Sequence, residues 1–580
     1  MTNDNTEEAP TAEVPVDAQS SSGPEHGTNK AEAGSSALQE LLELSRQQRL
    51  QELREAPTGQ LKSDEDSPAG ASSPKTTTAK SKPKAEHKGA SQRIAQRVAR
   101  RTVGRLVSGT SVNTQPVPIV TALKGSPYKA PVQASEPNED EARMVLDLAA
   151  DIAAIMMRAG AGTSDIEVSV IAACAAFGLT TAQVDLTSNT LTVHYSTSDG
   201  RLMTVMRVNR GESIHFAKLG SVHKLVTDLV AGNLGFNDAR SRLDAIRYQR
   251  RPYQEWFVTG AWGMMVGSLV VLLGGGAIAA GLGIVMSIMI SQVGRMIGRT
   301  ALPSFFITAL QAAIATLVAM VAGNFGIIES PQYLVAAGIV LLLPTQSLYS
   351  AVQDALTNFP LTAAGRMVGV VLTLAGIVSG IALGVVTGEA IGLDAIEVLV
   401  PKTSVHVISA IVSMVAAAVV AMAGVIGMQS TRRFILPAAF VGLASYITMT
   451  ALTILAIDNV LASLLAATVT GFLARPLSLR LGAPAIVLMI PAIYTLLQGL
   501  SIFTAVYQIV AESETTSFAV GLSSLFTAIL ANAALAVGAV LGSYLARPLK
   551  NLKADAVEKT AESARSNEST ITLDTVEPRD

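Results

Sequence analysis

The residues best suited to chemistry sit inside an otherwise apolar run. GIVLLLPTQSLYSAVQDAL (338–356) places Pro344 ahead of Thr345, Gln346, Ser347, Tyr349, Ser350, Gln353 and Asp354, with Thr357 just beyond. Thr345, Tyr349 and Gln353 are spaced by four, as are Gln346, Ser350 and Asp354. A helix therefore gathers them into one wide polar face. On a membrane-spanning helix such a face looks into a water-filled path, because lipid cannot satisfy it. Asp354 is its ionisable member, and carboxyls in that setting serve proton uptake and release. Read without that role, Asp354 is an ordinary carboxylate at a helix end, paired with Arg366. Pro344 adds a break, since proline inside a helix frees backbone carbonyls. AIVLMIPAIYTLLQGL (485–500) echoes the pattern: IVLLLP and IVLMIP differ at two positions, and Tyr494 and Gln498 follow Pro491. The bland alternative is a pair of kinks in packed helices. Gln311, Asn324, Ser523, Ser524 and Asn532 are further polar positions in apolar runs, and His406 falls at an outer span edge.

These residues need helices to position them. From Trp256 onward the hydropathy resolves into ten spans, at about 256–274, 276–294, 303–323, 332–350, 363–387, 405–427, 434–456, 459–475, 483–507 and 517–546. Such lengths match what an apolar helix needs to cross a bilayer. With ten spans, Arg247, Arg250, Arg251, Arg295, Arg299, Arg366, Arg432, Arg433, Arg475, Arg480, Arg547, Lys550 and Lys553 fall on one side. The other side carries Glu329, Glu389, Asp394, Glu397, Asp458, Glu512 and Glu514, with Lys402 as its one basic residue. Nine or eleven spans would break this alternation, and the positive-inside rule makes the basic side, with both termini, cytoplasmic. The echoed segments then cross in opposite directions. This predicts an α-helical polytopic membrane protein whose ten helices form a 5+5 inverted repeat over 253–549, the architecture of secondary transporters that bind solute at broken helices. Gly376, Gly380 and Gly384, spaced by four, allow close helix packing.

The remaining chain is different in kind. Of 580 residues 49% are hydrophobic and only 15% charged, yet residues 1–137 are rich in Ser, Thr, Pro, Gly, Glu and Lys, so polar and apolar parts are segregated. The polar tail is expected to be disordered. It holds a helical pattern at 38–56 and a basic amphipathic segment at 91–107, which reads equally as a helix on an anionic lipid surface or as a solvated linker. The N-terminus lacks the basic and apolar regions of a signal peptide, so the first 250 or so residues are expected to stay in the cytoplasm. Residues 550–580 form a second polar tail, also expected to be disordered. Net charge is −2 and no aromatic residues interleave the basic run, so nucleic acid is not an expected partner.

Between tail and spans, residues 138–250 read as an N-terminal cytoplasmic α+β domain. EDEARMVLDLAADIAAIMMRAG (139–160) reads as a helix stopped by Gly160 and Gly162, and Thr163–Ser164 can cap a second helix over roughly 164–177. Strands follow at 182–187, 190–197 and 201–209, the last two joined at Asp199–Gly200, with IHFAKL (214–219) as a further short strand and helices at 221–231 and 236–248. Leu191, Val193 and Tyr195 share one strand face and His194 takes the other. His194, His215 and His223 read as structural or exposed, and a set drawn from Ser164, Asp165 and a histidine is not compelled by spacing. The lone Cys174 reads as a small buried hydrophobe and excludes an intrachain disulfide framework. No nucleotide, metal or redox cofactor motif stands out, so no cofactor and no enzyme activity are expected. The rival is a membrane-anchored hydrolase or receptor with its activity in residues 138–250.

At these residues the sequence resembles the threonine/serine exporter family, over roughly 140–546. The similar stretches are RAGAGTSDIEVSVIAACAAFGL (158–179), DGRLMTVMRV (199–208), KLGSVHKLV (218–226) and LLPTQSLYSAVQDALTNFPLTAAGRMV (342–368). Pro344, Asp354 and Arg366 stand on matching positions, while Thr345 replaces a usual Gly, Gln353 a usual Arg, and Gln498–Gly499 a common Pro-Gly. The resemblance implies proton-driven efflux of L-threonine and L-serine across the plasma (inner) membrane. The lipid bilayer is then a partner, and the sequence admits a homo-oligomer. The implied path comprises Pro344, Thr345, Gln346, Tyr349, Ser350, Gln353, Asp354, Arg366, Pro491, Tyr494 and Gln498.

Overall fold

The computed structural model describes Tyr128 and residues 137–547, apart from 188, 198–199, 210, 212, 301, 395, 397–406 and 511–517. Both polar tails, with the 38–56 and 91–107 segments, lie outside the described residues, as do Glu397, Lys402, His406, Glu512 and Glu514.

Two helices, a sheet and two more helices build the α+β domain. Helix α1 (Glu139–Arg158) starts at a capping box, in which the Asn138 side chain accepts the Glu141 amide and Glu141 returns the bond. Gly160 ends this turn of chain at φ +84°, a conformation glycine adopts without a Cβ penalty. Helix α2 (Thr163–Ala176) follows. Strands β1 (Gln183–Leu186), β2 (Thr190–Ser196) and β3 (Leu202–Val208) form one antiparallel sheet in that order, with Val184 opposite Val193 and Val193 opposite Val205. Leu191, Val193 and Tyr195 are buried against the helices, and His194 on the outer face meets Thr204 at 3.0 Å. Helices α3 (Phe216–Val230) and α4 (Phe236–Arg247) complete the domain. Cys174 is fully buried. Asp151 of α1, 7% exposed, gathers Arg207 of β3 and Arg240 and Arg247 of α4 within 3.0–3.3 Å, tying three elements through one carboxylate.

Two local expectations fail here, for the same reason. The segment 214–219 is no strand; Phe216 begins α3. The first amides of α3 have outside acceptors, since Phe216 N–H donates to the Met428 carbonyl and Ala217 N–H to that of Gln429, while His215 Nδ1 accepts the Lys218 amide. Likewise α2 is not capped by Thr163 or Ser164: Gly162 is its N-cap and supplies no side chain. The cap arrives from 191 residues away, as the Asp354 carboxylate accepts the Thr163 amide at 3.1 Å. Long-range partners chose these helix starts.

Among the described residues eight helices are long and apolar enough to cross a membrane. They are α5 (Glu255–Leu272), α6 (Ala277–Ile297), α7 (Ser304–Asn324), α10 (Pro360–Ala390), α11 (Val407–Gly427), α12 (Ile435–Ile454, entered through a 3-10 turn at Arg432–Phe434), α13 (Asn459–Arg480) and α16 (Phe518–Leu545). The chain is thus a polytopic helical membrane protein. Two of the expected spans are not single helices. The 332–350 span is split into α8 (Pro331–Leu342) and α9 (Thr345–Leu356), bent by 52° at Leu343–Pro344. The 483–507 span is split into α14 (Ile486–Ile493), which contains Pro491, and α15 (Gly499–Val510). Proline cannot donate to the helix ladder; Pro344 stands in the first break and Pro491 lies two residues before the end of α14.

Small residues set the spacing of the helices. A Cβ on Gly380 would strike the Ala309 carbonyl, and one on Gly384 would lie 2.7 Å from Thr316 Cβ, so α10 packs backbone to backbone on α7. Gly471, Gly538 and Gly542 do the same between α13 and α16, against the carbonyls of Ala539, Leu464 and Thr468. Gly499, opening α15, abuts the Ala336 carbonyl of α8, so the two broken segments pack on each other.

Candidate functional site

The break between α8 and α9 opens on a cavity of about 400 Å³. Pro344, Thr345, Gln346 and Ser347 line it from the break, Gln311 from α7, Trp262 from α5, and Tyr494 from the break after α14. Trp262 and Tyr494 meet edge to face with centroids 5.9 Å apart. Gln346 Nε2 donates to the Gly160 carbonyl at 3.1 Å, while its Oε1 is buried without a hydrogen-bond partner. The site therefore has an apolar wall, several hydroxyl and amide groups, and one carboxamide oxygen in want of a donor. That composition suits a small polar solute.

Farther along α9 the polar face divides. Tyr349 and Gln353 line a second cavity. Ser350 and Asp354 are buried in packing. Asp354 is fully buried: one carboxylate oxygen accepts the Thr163 amide at 3.1 Å, and the other lies 2.9 Å from Arg366 Nη1 of α10. Thr362 Oγ1, also on α10, donates to the Leu186 carbonyl at the end of β1. The α+β domain is thus fastened to α9 and α10 through Gly160, Thr163 and Leu186, and to the loop after α11 through Phe216 and Ala217.

The eleven sequence-derived path residues do not form one cluster. Pro344, Thr345, Gln346 and Tyr494 share the first cavity, and Tyr349 and Gln353 the second. Asp354 and Arg366 form the buried pair, and Ser350 is buried beside them on α9. Pro491 is buried 3.2 Å from where a Gly424 Cβ would stand. Gln498 points elsewhere, to Asn459 at 2.7 Å and Ser463 at 2.7 Å. Sequence reasoning missed Trp262, since an aromatic in the middle of an apolar span carries no signal of the cavity it lines. It also read Arg475 and Arg547 only as topology markers.

Residues 147–388 match the threonine/serine exporter family model ThrE, and residues 411–545 match a second exporter model, ThrE_2. A protein of Mycobacterium tuberculosis described as "Probable threonine/serine exporter" is 33% identical over 419 residues, covering 70% of this chain and 77% of the relative. The chain belongs to the threonine/serine exporter family. The threonine/serine exporter of Corynebacterium glutamicum is 30% identical over 444 residues, covering 74% of this chain and 88% of its own. No solved structure matches the chain. In this exporter-family chain the two matches divide between α10 and α11, so the first takes in the α+β domain together with the helices up to α10.

One titration bears on how the domain is held. His215, the cap of α3, is buried and its Nε2 has no hydrogen-bond partner. Burial first, then the neighbouring Lys218 and Arg251 charges, push its imidazole down from 6.5 to about 4. Between those values the unfolded chain binds a proton that the folded chain refuses. The contribution of this group is complete above about pH 6.5 and is lost as pH falls towards 4, by up to about 3 kcal/mol. His215→Asn, which keeps a capping oxygen, is expected to flatten the acid limb of a thermal-stability profile over that window. An unchanged acid limb would remove His215 as its source.

Proposed function

We propose that this protein exports L-threonine and L-serine across the plasma membrane in exchange for protons, through the cavity at the α8–α9 break. The observation that carries this is the meeting of two broken apolar helices, α8 and α15, beside a polar cavity lined by Thr345, Gln346, Ser347 and Tyr494. Freed backbone groups and short polar side chains at such breaks bind small solutes in secondary transporters. Among the described residues, taking α8–α9 as one bent span gives nine; on this reading α14–α15 is the tenth, with five spans before residue 400 and five after. Contacts that recur in register support a 5+5 repeat. Helix α7 packs on α10 as α13 packs on α16, and α9 packs on α10 as α15 packs on α16. The positive-inside rule then puts both termini and the α+β domain in the cytoplasm.

Asp354 is the proposed coupling group. Protonation would remove the negative charge that holds Arg366 and the Thr163 amide, loosening α9 from the α+β domain and α10. Deprotonation would restore the latch. Counterflow in proteoliposomes tests the transport reading: unlabelled threonine or serine inside should drive uptake of labelled threonine, and leucine should not. Absence of accumulation with either hydroxylated amino acid would overturn it.

A further inference from the structure

A second cavity, of about 310 Å³, lies between α2 and the ends of α9, α13 and α16. Small-molecule sites run from roughly 300 to 1,000 Å³. Its lining carries both signs of charge. Asp165 and Glu167 come from α2, Arg475 from α13, and Arg547 from just beyond α16. Tyr349 and Gln353 of α9 add uncharged polar groups to the wall, as do Ser164 and Ser169 of α2. These charges do not close on one another: among the described residues, no ion pair within 4.0 Å includes any of the four. Arg547 Nε is buried without a hydrogen-bond partner, with its guanidinium 3.6 Å over the Tyr544 ring. Burial holds the Asp165 carboxyl above the usual carboxylate range, opposed by the charges of Arg475 and Arg547 and by a bond from Gln353.

Charges withdrawn from water are costly unless something satisfies them. An anion would answer the guanidinium groups and leave the carboxylates unmet, and a cation would do the reverse. A zwitterion answers both: its carboxylate suits the planar donor fork of arginine, and its ammonium suits a carboxylate. We infer that this cavity is a loading site for a zwitterionic amino acid, with Arg475 and Arg547 holding the α-carboxylate, Asp165 holding the α-ammonium, and Tyr349 and Gln353 facing the hydroxylated side chain. The inference rests on the exporter reading and adds to it where solute is first held. Tyr349 and Gln353 lie one and two turns along α9 from Thr345, so the same helix face leads from this cavity to the break.

The test is saturable binding of labelled L-threonine to the full-length protein, with three competitors: threonine methyl ester, which lacks the carboxylate; 3-hydroxybutyrate, which lacks the ammonium; and inorganic phosphate. Wild-type protein should prefer threonine to the first two by at least roughly tenfold each, the scale of a charge-assisted hydrogen bond. Arg475→Gln and Arg547→Gln should weaken threonine binding roughly tenfold and shrink the preference over the ester. Asp165→Asn should shrink the preference over 3-hydroxybutyrate. Arg475→Lys, which keeps the charge and loses the fork, should give an intermediate loss and guards against a variant that does not fold. Parallel losses for all probes, with preferences intact, would mean a structural role and overturn the assignment. Phosphate competing as well as threonine, lost in Arg475→Gln but kept in Asp165→Asn, would overturn it in favour of an anion site. Threonine counterflow separates the two levels. If wild-type protein shows none, the exporter reading fails; if the variants exchange threonine with wild-type half-saturation, only the loading site fails.

Discussion

Replacing Asp354 with alanine is expected to destabilise the folded protein by about 3–5 kcal/mol, the usual cost of removing one partner of a buried ion pair. Asp354 is fully buried and the Arg366 side chain is only 15% exposed, so the abandoned guanidinium has little access to water. The same change strips the Thr163 amide at the start of α2 of its acceptor. Much of this cost comes from the stranded charge, so Asp354→Ala combined with Arg366→Leu should recover a large part. A double change as damaging as the single one would show that the charge was not the cause. The exposed pair of Arg201 and Glu139, 67% and 57% exposed, provides the contrast, and breaking it should cost less than about 1 kcal/mol. Thermal unfolding of the solubilised variants reads all of these. Asp354→Asn keeps the shape and the hydrogen-bonding oxygen but cannot exchange a proton. Under the coupling proposal, exchange of threonine continues in that variant while its response to an imposed pH gradient disappears. A response that persists would take Asp354 out of the coupling step and leave it a purely structural latch.

Gly160→Val is expected to reduce threonine exchange by roughly tenfold or more while the protein still inserts. Gly160 sits at φ +84°, where a β-branched residue is strained by about 1–3 kcal/mol. A side chain there would also collide with the Gln346 amide, which donates to the Gly160 carbonyl across to α9. The change thus pushes the α+β domain off the helix that lines both cavities. Because Gln346 also lines the cavity at the α8–α9 break, Gln346→Ala alone is the reference: if the collision is the cause, adding Gly160→Val to that variant should cost much less than it does in the wild type, leaving only the strain at φ +84°. An equal loss in both backgrounds would mean that backbone strain alone accounts for it. Gly260, inside α5 with nothing within 4 Å of an added Cβ, is the control. Gly260→Ala should be neutral or stabilising by up to about 1 kcal/mol, as alanine is the better helix former.

Several features of this protein were legible one stretch at a time. Eight apolar helices lie where hydropathy places them, because the lipid solvent selects long uncharged runs and leaves little ambiguity about their existence. The three strands follow from alternation, with Leu191, Val193 and Tyr195 inward. The break near Pro344 follows from the missing amide of proline. The resemblance to the exporter family was carried by short ordered segments and needed no fold.

What the chain does at long range was not written locally. Histidine at 215 looks like part of a short strand until two carbonyls from residues 428 and 429 meet the following amides and make a helix start there. Asp354 looks like a free coupling carboxylate on a polar face until α2, 191 residues earlier, brings an uncapped amide to it. Asp165, Arg475 and Arg547 belong to three separate elements, and their types alone mark a helix start and two membrane edges. Periodicity and hydropathy are properties of neighbours along the chain, so they locate most helices, the three strands and the apolar runs, while the starts of α2 and α3 needed distant partners. Which charges face one another depends on how those segments pack, and it is the packing that closes Asp354 into a latch and leaves Asp165 and the two arginines facing a cavity.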